Sequence, residues 1–491
     1  MTTDARAADR ARSGRPTMVF GRFTFWLVMV GLVTMLGGLL FGYDQGVISG
    51  ALPLITKDFG LTSFMAEVVT SWVTIGALFG ALAAGVFADR FGRKNTGMIA
   101  AALFMSGAAI EAFAPGTAVL VVGRFVVGFG VGVASVAAPL YAAEMAPKET
   151  RGRFVSTYQL AITIGIFVAD IVDDVLTESG NWRLMLGGAA IPGLLLLIVM
   201  GFMSETPRWL MRAGRRDDAQ AALARVRNAE EIEGALDEIQ AELDEESDQA
   251  SWSEVFGKAT RRPLMVGLGL AIFQQITGIN AVIYYSNEIF KEAGFITPEQ
   301  QANATLYAIG AVNVLATFIA VAYVDRFGRR PLLFAGLIGM TVSLTTVGFA
   351  FLVFDEDATQ GGTTPSTVGI ITLISLVVFI ASFAFSLGPV VWTIISEIYP
   401  NRSRGRCIAV ATAMNWAAAF LVSLTFLSLL DWLGASATFW LFAFFCVVAF
   451  LWIRRYVPET KGRSLEEIQE IWTHDDPVAH TNAEAEAALQ R

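Results

Sequence analysis

The run Gly37-Gly38-Leu39-Leu40-Phe41-Gly42-Tyr43-Asp44-Gln45-Gly46-Val47-Ile48-Ser49-Gly50 decides the architecture. It lies inside an apolar segment from about 25 to 55, and a helix that crosses a bilayer needs about 20 such residues. Asp44 is the only charged residue between Arg22 and Lys57. A carboxylate at membrane depth is costly, so it faces a partner or a water-filled cavity. It then either marks an ion or proton path or serves as the structural partner of a buried cation.

Working outward, apolar blocks recur at 25–52, 67–88, 96–114, 117–140, 154–176, 184–203, 264–290, 304–324, 332–354, 368–395, 407–430 and 436–457. The 491 residues are 54% hydrophobic and only 16% charged, which excludes a soluble protein of this length. Continuous rather than alternating apolar runs exclude a β-barrel. The expected fold is all-α and polytopic, with twelve transmembrane helices as two six-helix bundles. The divisions are a cytoplasmic N-tail (1–24), an N-terminal bundle (25–203), an intracellular helical linker (204–262), a C-terminal bundle (263–457) and a cytoplasmic C-tail (458–491). Within the linker, 217–227 and 230–243 read as short amphipathic helices.

The net charge of −9 says little, because the acids concentrate in the polar segments. Cys407 and Cys446 both fall in apolar blocks, so neither a disulfide framework nor a thiolate metal site is expected. The two histidines, His474 and His480, follow the last block, which leaves a carboxylate as the proton-carrying group in the membrane. No metal, cofactor or nucleic acid is implied. The Arg-rich start lacks a cleavage pattern and reads as a tail before a retained helix. Placing both termini in the cytoplasm puts every Lys and Arg inside except Lys57, Arg124, Arg183 and Lys291. Such asymmetry fixes orientation in a cell membrane.

The two halves repeat. Asp89-Arg90-Phe91-Gly92-Arg93 follows the second block and Asp325-Arg326-Phe327-Gly328-Arg329 the eighth. Glu144 and Arg151 are matched by Glu397 and Arg404, and Glu205-Thr206 by Glu459-Thr460. Equivalent segments at one depth mean parallel repeats about an axis normal to the membrane. Matched acids are not explained by topology, to which acids contribute little.

These motifs carry a resemblance. The doubled Asp-Arg-Phe-Gly-Arg, Pro139-Leu140-Tyr141-Ala142-Ala143-Glu144, Glu205-Thr206-Pro207-Arg208-Trp209-Leu210, Gln274-Gln275-Ile276-Thr277-Gly278-Ile279-Asn280 and Pro458-Glu459-Thr460-Lys461-Gly462 resemble a sugar porter of the major facilitator superfamily. Gly42-Tyr43-Asp44 is similar to the bacterial proton-coupled members, whereas facilitative glucose transporters usually carry an uncharged residue at that position. Asn415 stands where certain bacterial members have Gln, and Leu387 where some have Trp, so sugar specificity does not carry over.

Three constellations follow. Counting along the helices puts Asp44 and Arg124 at similar depth in the outer half. Asp44 is then read as the only unassigned carboxylate within reach of that arginine. Proton occupancy of Asp44 would loosen the tie, and the resemblance implies the same use of a first-span Asp and a fourth-span Arg. A neutral polyhydroxylated ring calls for amides and aromatic faces. Gln274, Gln275 and Asn280 are the leading candidates, and sugar porters bind through the matching residues. Gln159, Asn313, Trp392 and Asn415 are the others, with helix–helix contact as their alternative role. On a regular helix 274 and 275 diverge by about 100°, so both amides reach one cavity only if the helix is irregular, which Gly278 permits. Tyr284, Tyr285 and Phe41 line or gate the outer path or simply pack, and Gly388 and Pro389 form a gate or a fixed kink.

The third constellation is Asp89, Arg93, Glu144, Arg151, Glu205 and Arg208 in one half, with Asp325, Arg329, Glu397, Arg404 and Glu459 in the other. It reads as a cytoplasmic latch for the outward-facing state or as a topology signal alone. The expected function is uptake of a monosaccharide, hexose or pentose, by a proton-coupled symporter working by alternating access as a monomer. A uniporter, a cyclic polyol (inositol) carrier and a sugar sensor are the alternatives. An enzyme is disfavoured, since no metal-ligand spacing or phosphate-cradling loop is present.

Overall fold

In hydrocarbon every backbone N–H and C=O has to pair within its own segment, so the apolar blocks have one outcome, the helix. The computed structural model describes residues 22–246, 251–353, 367–400, 402–461, 463 and 465–472. Nine of the helices described are long and apolar enough to cross a membrane. One of them, Arg404–Tyr456, is two crossings joined at Gly434, whose φ of 75° turns the chain. Two further helices, Arg93–Ala112 and Lys148–Thr177, are less apolar because they carry charges, and they pack lengthwise on the fourth and first helices. The total is twelve spans.

The first half comprises Arg22–Phe59, Ser63–Phe91, Arg93–Ala112, Thr117–Met145, Lys148–Thr177 and a sixth span in two pieces, Trp182–Gly187 and Ala190–Phe202. In the second half the seventh span is broken into Lys258–Ile276, Ile279–Tyr284 and Ser286–Glu292. The eighth is Pro298–Thr305, a π-helical turn at Leu306–Ala311 and Val312–Phe327. The ninth is Arg329–Val353, and the tenth is Thr367–Phe385 with Leu387–Glu397. Between the halves lie Pro207–Arg212, Arg216–Leu223, Ala229–Glu246 and Trp252–Val255. This insert packs on itself. Leu210, Leu223, Ile232 and Leu236 form a small apolar core of its own.

In lipid, helices gain little from burying apolar surface against each other, so close approach through small residues holds them together. The opening glycines do this. Gly38, Gly42, Gly46 and Gly50, four apart, face the fifth span, and a Cβ at Gly42 would run into the carbonyl oxygen of Ile162. Leu82, Val86, Phe318, Ile319 and Val342 lie exposed on the flanks, as lipid-facing residues do. The halves meet where the second span packs on the eleventh, the fifth on the eighth and the first on the seventh. At the end remote from the basic loops that contact is sealed by a buried carboxylate. Glu67 Oε1 accepts from the Ser428 amide and Oε2 from its hydroxyl, both at 2.7 Å.

Candidate functional site

The ion pair lies midway along the first span. Arg124 Nη1 donates to Asp44 Oδ1 at 2.6 Å, and Arg124 Nε donates to the Val69 carbonyl at 3.3 Å. Both residues are buried, Asp44 at 3% exposure and Arg124 at 0%. The common depth inferred from helix counting is what the structure has. One expectation fails, however. Asp44 is not the only carboxylate within reach, because Glu111 Oε1 on the third span lies 3.7 Å from the same Arg124 Nη1. Glu111 falls inside the apolar block 96–114, near its end, and the sequence reading passed over it.

Four amides converge next to this pair. Asn280 Nδ2 donates to Gln275 Oε1 at 2.9 Å, Gln275 Nε2 to Asn415 Oδ1 at 3.2 Å, and Asn415 Nδ2 to Gln274 Oε1 at 2.7 Å. All four residues are buried. The helix break at Gly278, with φ 96°, comes after both glutamines rather than between them. Its effect is to return Asn280 to Gln275. Gln275 Nε2 reaches Gln274 Oε1 directly at 3.4 Å, and Asn415 of the eleventh span bonds both glutamines.

Gln159 on the fifth span is half-buried, Asn313 on the eighth is buried, and Trp392 on the tenth packs half-buried against the core. Among the described residues no hydrogen bond ties these three to the network. Gln45, beside Asp44, is the member that sequence reading missed. Its Nε2 reaches Tyr284 Oη at 3.3 Å and Asn280 Oδ1 at 3.5 Å, linking the first half to the amides. A polar amide one residue from an intramembrane charge was the available signal.

Phe41 meets Trp416 of the eleventh span with ring centroids 5.3 Å apart, which carries an aromatic contact across the two halves. Tyr285 is fixed differently. Its hydroxyl donates to the Ser423 carbonyl at 2.6 Å and its ring stacks on Phe426 at 5.2 Å, which is a packing role. The interruption expected at Gly388 and Pro389 is centred two residues before Gly388, at Ser386 (φ −123°, ψ −95°). Gln274 Nε2 donates to the Leu387 carbonyl at 2.8 Å, so this amide also ties the seventh span to the tenth just past its break.

At the basic end the halves repeat residue for residue. Arg93 Nε donates to Glu144 at 3.0 Å and Arg329 Nη2 to Glu397 at 3.0 Å. Glu205 accepts the backbone N–H groups of Arg93 and Lys94 at 2.9 and 3.0 Å, and Glu459 those of Arg329 and Arg330 at 3.0 Å each. Each glutamate therefore caps the helix that follows Asp-Arg-Phe-Gly, where unpaired N–H groups and the helix dipole favour a negative charge. Asp89 accepts from Arg93 and from Arg212 of the insert, Arg208 pairs with Glu242 of the insert, and Arg404 donates to the Tyr399 carbonyl. The side chains of Arg151 and Asp325 lie outside the described residues.

Asp170 and Asp173 on the fifth span are also buried, with Asp173 Oδ2 accepting from the Gly50 amide at 3.1 Å. Asp44 is thus one of several buried carboxylates in the spans, with Glu67, Glu111, Asp170 and Asp173.

A family model described as "Sugar (and other) transporter" matches residues 30–472. The arabinose-proton symporter of Escherichia coli (strain K12) is 40% identical over 472 residues, covering 96% of this chain and 97% of that one. The galactose-proton symporter of the same strain is 39% identical over 463 residues, covering 94% and 96%. Among solved structures, the inward open conformation of the xylose transporter XylE from E. coli aligns with a TM-score of 0.77 at 32% identity. That alignment covers 91% of this chain and 100% of the other.

Proposed function

This chain belongs to the sugar transporter family, the sugar porters of the major facilitator superfamily, and on that footing we propose that it imports a monosaccharide together with a proton. The observation that carries the reading is the buried 2.6 Å contact between Arg124 and Asp44. Separating a buried ion pair without compensation costs about 3–5 kcal/mol, because a charge is left unpaired. Protonating Asp44 neutralises its carboxylate and removes the ionic part of the contact, so proton arrival loosens the tie between the first and fourth spans. A proton moving inward with the membrane potential supplies about 2.3 kcal/mol per 100 mV, which a symporter couples to sugar uptake.

The sugar site we assign to Gln274, Gln275, Asn280 and Asn415, with Gln45 and the Phe41–Trp416 rings at its edge. Amides both donate and accept, so sugar hydroxyls can replace amide–amide bonds one for one at little net cost in hydrogen bonding. Names of relatives that carry arabinose and galactose support a pentose or hexose as cargo. The basic end is assigned to the cytoplasm from the distribution of Lys and Arg. With Glu67 sealing the opposite end against Ser428, the structure is then closed to the outside. The paired glutamate–arginine contacts at the basic end are assigned to a conformational latch.

The test is transport by the purified protein in proteoliposomes, with radiolabelled hexoses, pentoses and inositol and with or without an imposed proton gradient. Uphill accumulation should require the gradient, and sugar addition should alkalinise the external medium. Asp44→Asn should lose accumulation at least tenfold while sugar counterflow continues. Accumulation or sugar-driven alkalinisation surviving in Asp44→Asn would overturn the assignment.

A further inference from the structure

Resting on that reading, we propose that Glu111 is the second anchor of Arg124, so that the arginine exchanges between two carboxylates when the proton binds. The geometry has three parts. Nη1 of Arg124 lies 2.6 Å from Asp44 and 3.7 Å from Glu111, so one guanidinium faces a bonded carboxylate and a second one just beyond hydrogen-bond range. All three residues are at most 3% exposed. Arg124 Nη2 and Glu111 Oε1 make no hydrogen bond with any described residue, so a donor and an acceptor of opposite charge stand ready but unjoined.

One cation between two buried carboxylates leaves a net charge of −1, and burial makes such a charge expensive. A proton restores balance. When it binds an Asp44 oxygen, that residue becomes a neutral carboxylic acid, and the Arg124 Nη1–H···Oδ1 contact loses its ionic component. The guanidinium then moves about 1 Å toward Glu111, whose carboxylate keeps it paired. The trio goes from −1 to 0, and Arg124 is never left as an unpaired buried charge. A lone Asp–Arg pair lacks this property, because protonation of its only carboxylate strands the arginine.

The other groups facing the trio do not supply the missing charge. Tyr284 of the seventh span accepts from Gln45, and Glu67 of the second span is committed to Ser428. Arg183 of the sixth span donates to the Ala114 carbonyl and pairs with Asp58.

The experiment is sugar-driven proton uptake against pH in proteoliposomes carrying the full chain, with counterflow as the readout for an intact sugar site. Glu111→Gln is nearly isosteric and uncharged. It turns the trio into a neutral pair, so a proton on Asp44 must now strand Arg124. The pH of half-maximal coupled uptake should move acid by about one unit, a tenfold loss in proton affinity, with counterflow unchanged. Glu111→Asp keeps the charge on a shorter side chain and should give a smaller shift in the same direction. It carries the test if Glu111→Gln is not recovered in membranes. A pH profile equal to that of the unmodified protein in either variant overturns the proposal. If the unmodified protein itself moved no proton with sugar, the symport reading would fail instead, a different result.

Discussion

Asn415 shows how much a single side chain can organise. It accepts from Gln275, donates to Gln274 Oε1 and donates at 3.0 Å to the Ala271 carbonyl, joining the seventh span to the eleventh at one point. Replacing it with Ala leaves buried donors and acceptors on both glutamines, and each unmade buried bond costs about 1–3 kcal/mol. Asn415→Ala should therefore raise the KM for sugar about tenfold or more in counterflow, while the dependence of uptake on the proton gradient persists. Loss of proton coupling with an unchanged KM would show that the amides serve the ion pair rather than the sugar.

At the scale of the element, the breaks matter more than the helices. The seventh span stops at Thr277, passes through Gly278 in the left-handed region and restarts at Ile279. A Cβ at Gly278 would also press on the Phe442 ring at 3.0 Å. Strain of this kind in a non-glycine residue costs about 1–3 kcal/mol. Gly278→Ala should lower the thermal midpoint of the detergent-solubilised protein by a few degrees and weaken sugar binding, since the break carries Asn280 back to Gln275. An unchanged midpoint would mean that the helix accommodates the methyl by repacking Phe442. The tenth span breaks at Ser386 instead, and the Leu387 carbonyl just past the break accepts from Gln274.

For the whole molecule, the question is what holds one end shut. Glu67 makes two 2.7 Å bonds to Ser428 across the halves, and Phe41–Trp416 and Trp72–Phe420 add aromatic contacts between the same pair of bundles. Hydrogen bonds to a charged group contribute about 1.5–3 kcal/mol, enough to shift a two-state equilibrium tenfold or more. Glu67→Gln should therefore populate longer distances between spin labels at the ends of the second and eleventh spans. A distance distribution identical to that of the unmodified protein would leave the closure to apolar packing alone.

Much of this molecule was legible in its sequence, for a physical reason. Hydrophobic blocks long enough to cross a bilayer have only the helix available to them, and the doubled acidic and basic landmarks announced two equivalent halves. Their capping glutamates, Glu205 and Glu459, stand at the same atoms in each. The meeting of Asp44 with Arg124 was also within reach, because depth in a membrane can be counted along a helix. Depth is one coordinate only. Which face of each helix turns inward is set by packing between helices. That packing brought Glu111 to Arg124, seated Asn415 between two adjacent glutamines, and closed Glu67 onto Ser428 across residues far apart in the chain.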